Sequence, residues 1–308
     1  MLRVHATGET ELAFQAPLEF DRDQIMRSLQ RAYHYFLMRR FVRRAPVVLS
    51  TNPYHLRFVK EVALASNVVA ISRRRFFVVP NTTDPDVDAT VWNMPTPFVD
   101  EILRAGGRFL LSLGRLDRQG VEQKGVVDLL DALALARRHD PTMQRVFLVV
   151  VGDGDQRGAL RDRAKALGLD AVVILPGHLP QASVFALTRA AHAVVLLSRY
   201  EGLAMFALES LALGAPLVVS RTGGLSDLVI EGRNGFTAEP HDPVGAAEAL
   251  RRVLEASRNS MSAASREVFA SRFAARRTLE TFMDVLSLIA PSPLSERVEI
   301  ELEAPPGR

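Results

Sequence analysis

Two glutamates eight positions apart, Glu201 and Glu209, flank the start of an otherwise apolar segment, RYEGLAMFALESLALG from Arg199 to Gly214. A buried-strand pattern, Ala193–Ser198, precedes it; the pattern breaks at Gly202 and resumes with helix formers until Gly214 stops it before Pro216. Glu201 therefore falls on a strand-to-helix turn. Glu209 falls inside the helix, where the residues one turn away, Met205, Phe206, Ala212 and Leu213, are all apolar. A carboxylate in such surroundings needs a hydrogen-bonding partner. The first amides of the helix, near Leu203, Ala204, Met205 and Phe206, lack helical acceptors and carry the positive end of the dipole, so the turn suits an anion. A phosphate at the turn and a polyol beside Glu209 satisfy both features. A basic side chain from a neighbouring element, doing no chemistry, is the alternative partner for Glu209.

Cations are available nearby in sequence. The chain has three lysines, Lys60, Lys124 and Lys165, against thirty-five arginines, and Lys124 lies nine residues beyond Arg115 in the loop read after an earlier strand. A guanidinium fork and a flexible ammonium on one loop grip two phosphates differently, the first in bidentate fashion and the second as a point charge. No lysine sits in an enclosed apolar context that would favour an imine, which argues against a pyridoxal phosphate enzyme. The run Gly152, Asp153, Gly154 to Gly158 follows a strand and opens a helix, as a dinucleotide fingerprint does. That reading needs an acidic residue after the next strand, where the chain has Pro176, Gly177 and His178. Asp84, Asp86 and Asp88 resemble a carboxylate cluster, but they lie in a proline-rich stretch without a further ligand at calcium-loop spacing, so a solvated linker is the better reading.

These residues must be positioned by regular elements. From Arg108 onward, apolar runs at Phe109–Leu113, Val146–Val151, Val172–Leu175, Ala193–Ser198 and Leu217–Ser220 read as strands. Helices fit between and after them at Val126–Arg138, Gln156–Leu167, Gln181–Ala191, Ala204–Leu213 and Leu225–Ile230. Apolar strands alternating with helices predict an α/β fold with a doubly wound parallel sheet, whose ligands sit at the carboxyl ends of the strands. Helices at 244–257, 262–273 and 277–289 follow, and the proline-containing tail from Pro291 reads as mobile. The first hundred residues are less regular, with strands at Leu2–His5, Val47–Ser50, Val68–Ile71 and Phe76–Val79 and a proline-rich linker from Pro85 to Pro97.

At 308 residues without cysteine, the chain has room for two packed domains and no disulfide or thiolate chemistry. No apolar run approaches the roughly 20 residues that span a bilayer, and a cytoplasmic location is the default expectation. The net charge of +3 is unevenly distributed: residues 22–80 hold twelve Lys and Arg against two Asp and Glu. Half of the twelve lie in a predicted helix, Arg27–Arg44, with Arg39, Arg40, Arg43 and Arg44 near its end. They complement the helix dipole and offer a face for anionic lipid at the inner membrane surface or for an acidic acceptor; nucleic acid is not expected.

Taken in order, Gly114-Arg-Leu116 with Lys124 and Gly125, Val151-Gly-Asp-Gly154, Leu175-Pro-Gly177, Glu201 to Glu209, and Gly223 and Gly224 with Asn234-Gly-Phe236 resemble the retaining glycosyltransferases of family 4. The resemblance implies the two-domain GT-B fold and a nucleotide-sugar donor bound by a C-terminal domain at 98–272. It implies that Arg115 and Lys124 hold the diphosphate with the amides of Gly202, Leu203, Ala204, Met205 and Phe206, and that Glu209 binds the ribose hydroxyls. Glu201 would meet the transferred sugar as a catalytic-site residue, and Gly177 and His178 would lie near the base. Neither metal nor cofactor is implied. The strand at Leu2–His5 is similar to the one that ends in the family's active-site histidine, so His5 would stand beside the donor. Residues 1–97 would form an incomplete acceptor-side domain and linker, with a helix at 273–290 packing back on it and a mobile tail at 291–308. The acceptor, lipid-linked or glycan, is not specified. A non-catalytic nucleotide-sugar-binding module, needing upstream residues or a protein partner to complete the N-terminal sheet, is the competing class.

Overall fold

The structure, a computed structural model, describes residues 2–4, 33, 36, 37, 40, 47–64, 76–83 and 97–289. His5, Arg39, Arg43, Arg44, the strand expected at Val68–Ile71, Asp84 to Asp88 and the tail from Pro291 lie outside them. Of the basic helix, Tyr33, Phe36, Leu37 and Arg40 are described, all helical, with Tyr33 and Phe36 exposed.

A first sheet holds β1 (Leu2–Val4), β2 (Val48–Ser50) and β3 (Phe76–Val78), all parallel, with the helix α1 (Pro53–Leu64) between β2 and β3. The second sheet is larger. After α2 (Pro97–Arg104) come β4 (Arg108–Leu113), α3 (Arg118–Lys124), α4 (Val126–His139), β5 (Val146–Val151), α5 (Arg157–Ala166), β6 (Val173–Gly177) and α6 (Gln181–Ala190). These are followed by β7 (Ala193–Leu196), α7 (Met205–Ala212), β8 (Leu217–Ser220), β9 (Gly235–Ala238), α8 (Pro243–Glu255), α9 (Arg258–Arg272) and α10 (Ala275–Ile289). Its strand order is β6-β5-β4-β7-β8-β9, parallel throughout. The chain winds outward from β4 through β5 to β6, then returns to β7 on the other side, so the sheet is doubly wound with its switch point between β4 and β7.

Period-two alternation places one side chain of β4 on each face of this sheet. Leu110 packs with Leu148, Val150, Leu129, Leu133 and Leu250, joining the strands to α4 and α8. Its neighbours Phe109 and Leu111 point the other way, to Val149, Val194, Leu187, Leu208 and Leu211 of the strands, α6 and α7. With both faces covered, the strands have no reason to alternate polar and apolar residues, which is why they read as continuous apolar runs.

Several expectations need correction. The loop expected to carry Lys124 is largely the helix α3, started by Asp117, whose Oδ1 accepts from the Gly120 amide at 2.6 Å. Pro97 opens α2 rather than closing the linker, as proline at a first helical position can. The helix expected at Leu225–Ile230 is only a 3₁₀ turn at Ser226–Leu228, because Asn234 intervenes: its Oδ1 accepts from the Ile230 amide at 2.7 Å and its Nδ2 donates to the Leu228 carbonyl at 3.0 Å. The strand β9 follows it, pairing with β8 from Leu217 opposite Gly235 to Ser220 opposite Ala238.

The last helix reaches the first sheet. Val285 of α10 is buried with Val47, Leu49 and Val79, and Phe77, Phe282 and Ile289 pack on that cluster. At the same seam the Thr82 hydroxyl donates to the Phe273 carbonyl at 2.6 Å.

Candidate functional site

At the switch point the segments after β4 and β7 diverge and leave a cavity of about 800 Å³. Its wall includes Arg115, Lys124, His178, Glu201, Leu203, Ala204, Met205 and Phe206. Eight of the twelve residues expected from sequence thus converge on one space at the carboxyl edge of the sheet. Gly177, Gly202 and Glu209 stand outside this wall, and His5 lies outside the described residues.

Three restraints fix the turn after β7. On one side Arg199 pairs with Asp128 of α4, Nε to Oδ2 at 3.3 Å, while its amide donates to the Gln123 carbonyl at 2.8 Å. On the other side the Gly224 amide donates to the Gly202 carbonyl at 2.6 Å. Gly223 permits that approach: it has a φ of +51°, and a Cβ there would stand 1.6 Å from the Glu201 carbonyl oxygen. Beneath the turn, Tyr200 is buried, and that burial raises its phenol above the ordinary value. Glu201 is thereby held over β7.

Inside the cavity, Lys124 Nζ and Glu201 Oε2 form an ion pair, and the Ser198 hydroxyl donates to the same Oε2 at 3.3 Å. Ser198 is fully buried and its carbonyl accepts from the Ser220 hydroxyl. Sequence reasoning missed this residue; its signal was a polar side chain ending the apolar run of β7. Arg115 is far more open, with a side chain 63 % exposed and an ion pair to Asp117 at 3.2 Å. It is free to swing toward an anion at little cost, since exposed pairs of this kind are worth about 1 kcal/mol or less.

The helix α7 points its N-terminus at the same space. Ala204 is its N-cap and makes no side-chain capping bond; the first helical bonds run from Ala207 and Leu208 to the Ala204 carbonyl. Among the described residues the amides of Leu203 to Phe206 have no backbone acceptor, so the site offers four N–H groups and a helix dipole to a negative ligand. Further along, Glu209 is half-buried, and loss of solvent raises its carboxyl above the ordinary value. No hydrogen-bond or ion-pair partner meets its side chain among the described residues, so the alternative of a basic structural partner is not realised there.

The glycine run after β5 has a packing role. A Cβ on Gly152, with a φ of +143°, would fall 1.8 Å from the Gly114 carbonyl oxygen, so the β4 and β5 turns can lie against each other only with glycine there. Next to them Arg157 donates from Nη2 to the Leu175 carbonyl at 2.7 Å. Its guanidinium lies over Gly177, at the base of the exposed His178.

Among the described residues, no three His, Asp or Glu side chains gather as a metal site, and no helix is long and apolar enough to cross a membrane.

Comparison with known proteins places this geometry. The glycogen synthase of Mycobacterium tuberculosis is 38 % identical over 169 residues, 55 % of this chain and 38 % of that protein. The mannosylfructose-phosphate synthase of Agrobacterium fabrum is 29 % identical over 206 residues, 65 % of this chain and 43 % of that one. The chain therefore spans about two fifths of the length of these curated relatives. Among solved structures, sucrose-phosphate synthase from Thermosynechococcus elongatus superposes with a TM-score of 0.69 at 22 % identity, covering 94 % of this chain and 68 % of that one. Such a similarity carries the fold, α/β and GT-B-like, as the sequence motifs imply. The family described as glycosyl transferases group 1 matches residues 98–268, which contain the whole switch-point cavity. With more than half of its length matched, the chain belongs to the group 1 glycosyl transferases.

Proposed function

We propose that the chain transfers a glycosyl unit from a nucleotide-sugar donor to an acceptor hydroxyl with retention of anomeric configuration, as a family 4 enzyme. The observation that carries this reading is the meeting of Lys124, Glu201, Arg115 and the open amides of α7 in one cavity at the switch point. A solved relative, HepE of Anabaena, 19 % identical with a TM-score of 0.64, is described in complex with UDP-glucose, which supports a donor of that class.

In this scheme Arg115, Lys124 and the amides of Gly202 to Phe206 take the diphosphate. Glu209, desolvated and without a partner among the described residues, accepts from the ribose hydroxyls. Glu201 meets hydroxyls of the transferred sugar, Gly177 and His178 flank the base, and His5 stands beside the reacting carbon. The acceptor oxygen forms a bond to the anomeric carbon as the bond to the phosphate oxygen breaks. The departing diphosphate keeps that electron pair and receives the acceptor proton. Negative charge grows on the diphosphate as it leaves, where the two cations and the helix dipole stabilise it most, so the chain itself supplies the electrostatics without a metal. The arginines Arg39, Arg40, Arg43 and Arg44 would hold the enzyme at the inner membrane surface from the cytoplasm.

The test is titration with UDP-, GDP- and ADP-sugars, followed by NMR of the product anomer. A product of the donor's configuration supports the proposal; an inverted product removes retention. Donor binding without turnover assigns the chain to the non-catalytic class, and binding of none of the three removes the donor site.

A further inference from the structure

A second cavity, of about 930 Å³, opens at the seam between the first sheet and α10. Met205 lines both spaces, so the two compartments meet at the N-terminus of α7, where the proposed diphosphate would lie. The walls of the second are made by Leu49, Val79, Leu279 and Phe282, with Ala275 on the exposed first turn of α10. Its polar side chains are Ser50, Asn81, Thr82 and Thr278, and the first three already have partners. The Ser50 hydroxyl already donates to the Asn52 carbonyl at 2.8 Å, and the Thr82 hydroxyl to the Phe273 carbonyl at 2.6 Å. By contrast the Thr278 hydroxyl is buried with no hydrogen-bond partner among the described residues, an omission that is unfavourable unless a ligand or water supplies one.

A glycan acceptor would bring many hydroxyls into a space that can answer few of them, and each unanswered one is penalised. A molecule with an apolar body and one terminal hydroxyl fits the same walls. Resting on the proposed glycosyl transfer, we infer that this cavity is the acceptor compartment and that it takes a hydroxyl-terminated amphiphile. Its chain lies between α10 and the first sheet, and its hydroxyl emerges at Met205. There the oxygen bonds to the anomeric carbon, the carbon–phosphate oxygen bond breaks, and the hydroxyl proton leaves with the diphosphate.

Calorimetric titration of the full chain with n-hexanol, n-octanol and n-decanol, and with methyl α-glucoside as the polar counterpart, tests this. Each added methylene is expected to tighten binding about fourfold, and methyl α-glucoside not to compete. Ala275→Phe, a substitution at an exposed position, fills the cavity mouth and should abolish the dependence on chain length; Leu279→Trp fills it from the wall and should do the same. Nucleotide-sugar binding is measured on the same samples. Retained chain-length dependence in both filled variants would locate the alcohols elsewhere and overturn the inference, as would competition by methyl α-glucoside or the absence of alcohol binding. Any of these, with donor binding intact, leaves the proposed function standing. Loss of donor binding in the unmodified chain counts against that function instead.

Discussion

At the scale of single residues, the ion pair between Lys124 and Glu201 sets two functions against each other. Lys124 is paired with a carboxylate, and a diphosphate bound as proposed would have to win it over. Lys124→Ala should therefore weaken nucleotide-sugar affinity by about 2–3 kcal/mol, the scale of a charge-assisted contact, because it also leaves Glu201 facing the phosphates unneutralised. Glu201→Gln should have the opposite sign for UDP alone, tightening it severalfold by releasing Lys124, while transfer is lost. Calorimetry of both variants with UDP and with the complete donor separates these effects. Glu209 carries a pH signature. Its carboxyl is raised by burial, so the native state holds the proton more tightly than the unfolded chain does. Its contribution to stability is fully present below the ordinary carboxylate value of 4.5 and is lost as pH rises through the raised native value. Glu209→Gln should thus melt higher than the parent above that window and nearly equal to it at pH 4, while binding nucleotide-sugar about tenfold more weakly. A melting series from pH 4 to 8 checks the first part and a donor titration the second.

The elements show which interactions can be read from sequence. Strands β4, β5, β7 and β8 were legible because each is buried on both faces and its apolar run stands out alone. The helix α3 was not: RQGVEQK carries a glycine in its first turn and buries only Gly120 and Val121, so a capping bond from Asp117 decides the matter. β9 was missed for a related reason, since Gly235–Ala238 becomes a strand through its partner β8, far away in sequence. The strand-to-helix turn at Glu201 was legible because an apolar helix with one internal glutamate is locally anomalous. Ser198 and the cavity beside α10 depend on contacts between distant segments, which no local pattern carries. Gly223 shows how strict such a contact is. Gly223→Ala would force a left-handed alanine against the Glu201 carbonyl, and donor affinity should fall at least tenfold with a melting temperature several degrees lower. His192, between α6 and β7, provides an acid-side counterpart: its Nε2–H donates to the Val253 carbonyl at 3.1 Å, and burial lowers its pKa from 6.5 to about 4. Here the unfolded chain binds the proton more readily, so stability is lost as pH falls from 6.5 toward 4. His192→Gln should flatten that part of the melting profile.

In the whole molecule, α10 makes the first sheet depend on the end of the chain. Val285→Ala removes two buried methyl groups from the cluster with Val47, Leu49 and Val79, and should cost about 1–2 kcal/mol. The loss should be local: amide exchange should quicken in β2 and β3 and stay unchanged in β4 and β5, whereas a uniform increase would mean that both sheets melt as one unit. The scarcity of lysine also gives the protein a built-in reporter. Lys60 and Lys165 are exposed, while the Lys124 side chain is only 21 % exposed within the switch-point cavity. An amine-acylating reagent should mark the first two quickly and the third slowly, and a bound diphosphate should shield only the third. The mass of a peptide containing Lys124 then becomes a direct titration of occupancy, needing neither a labelled donor nor a known acceptor.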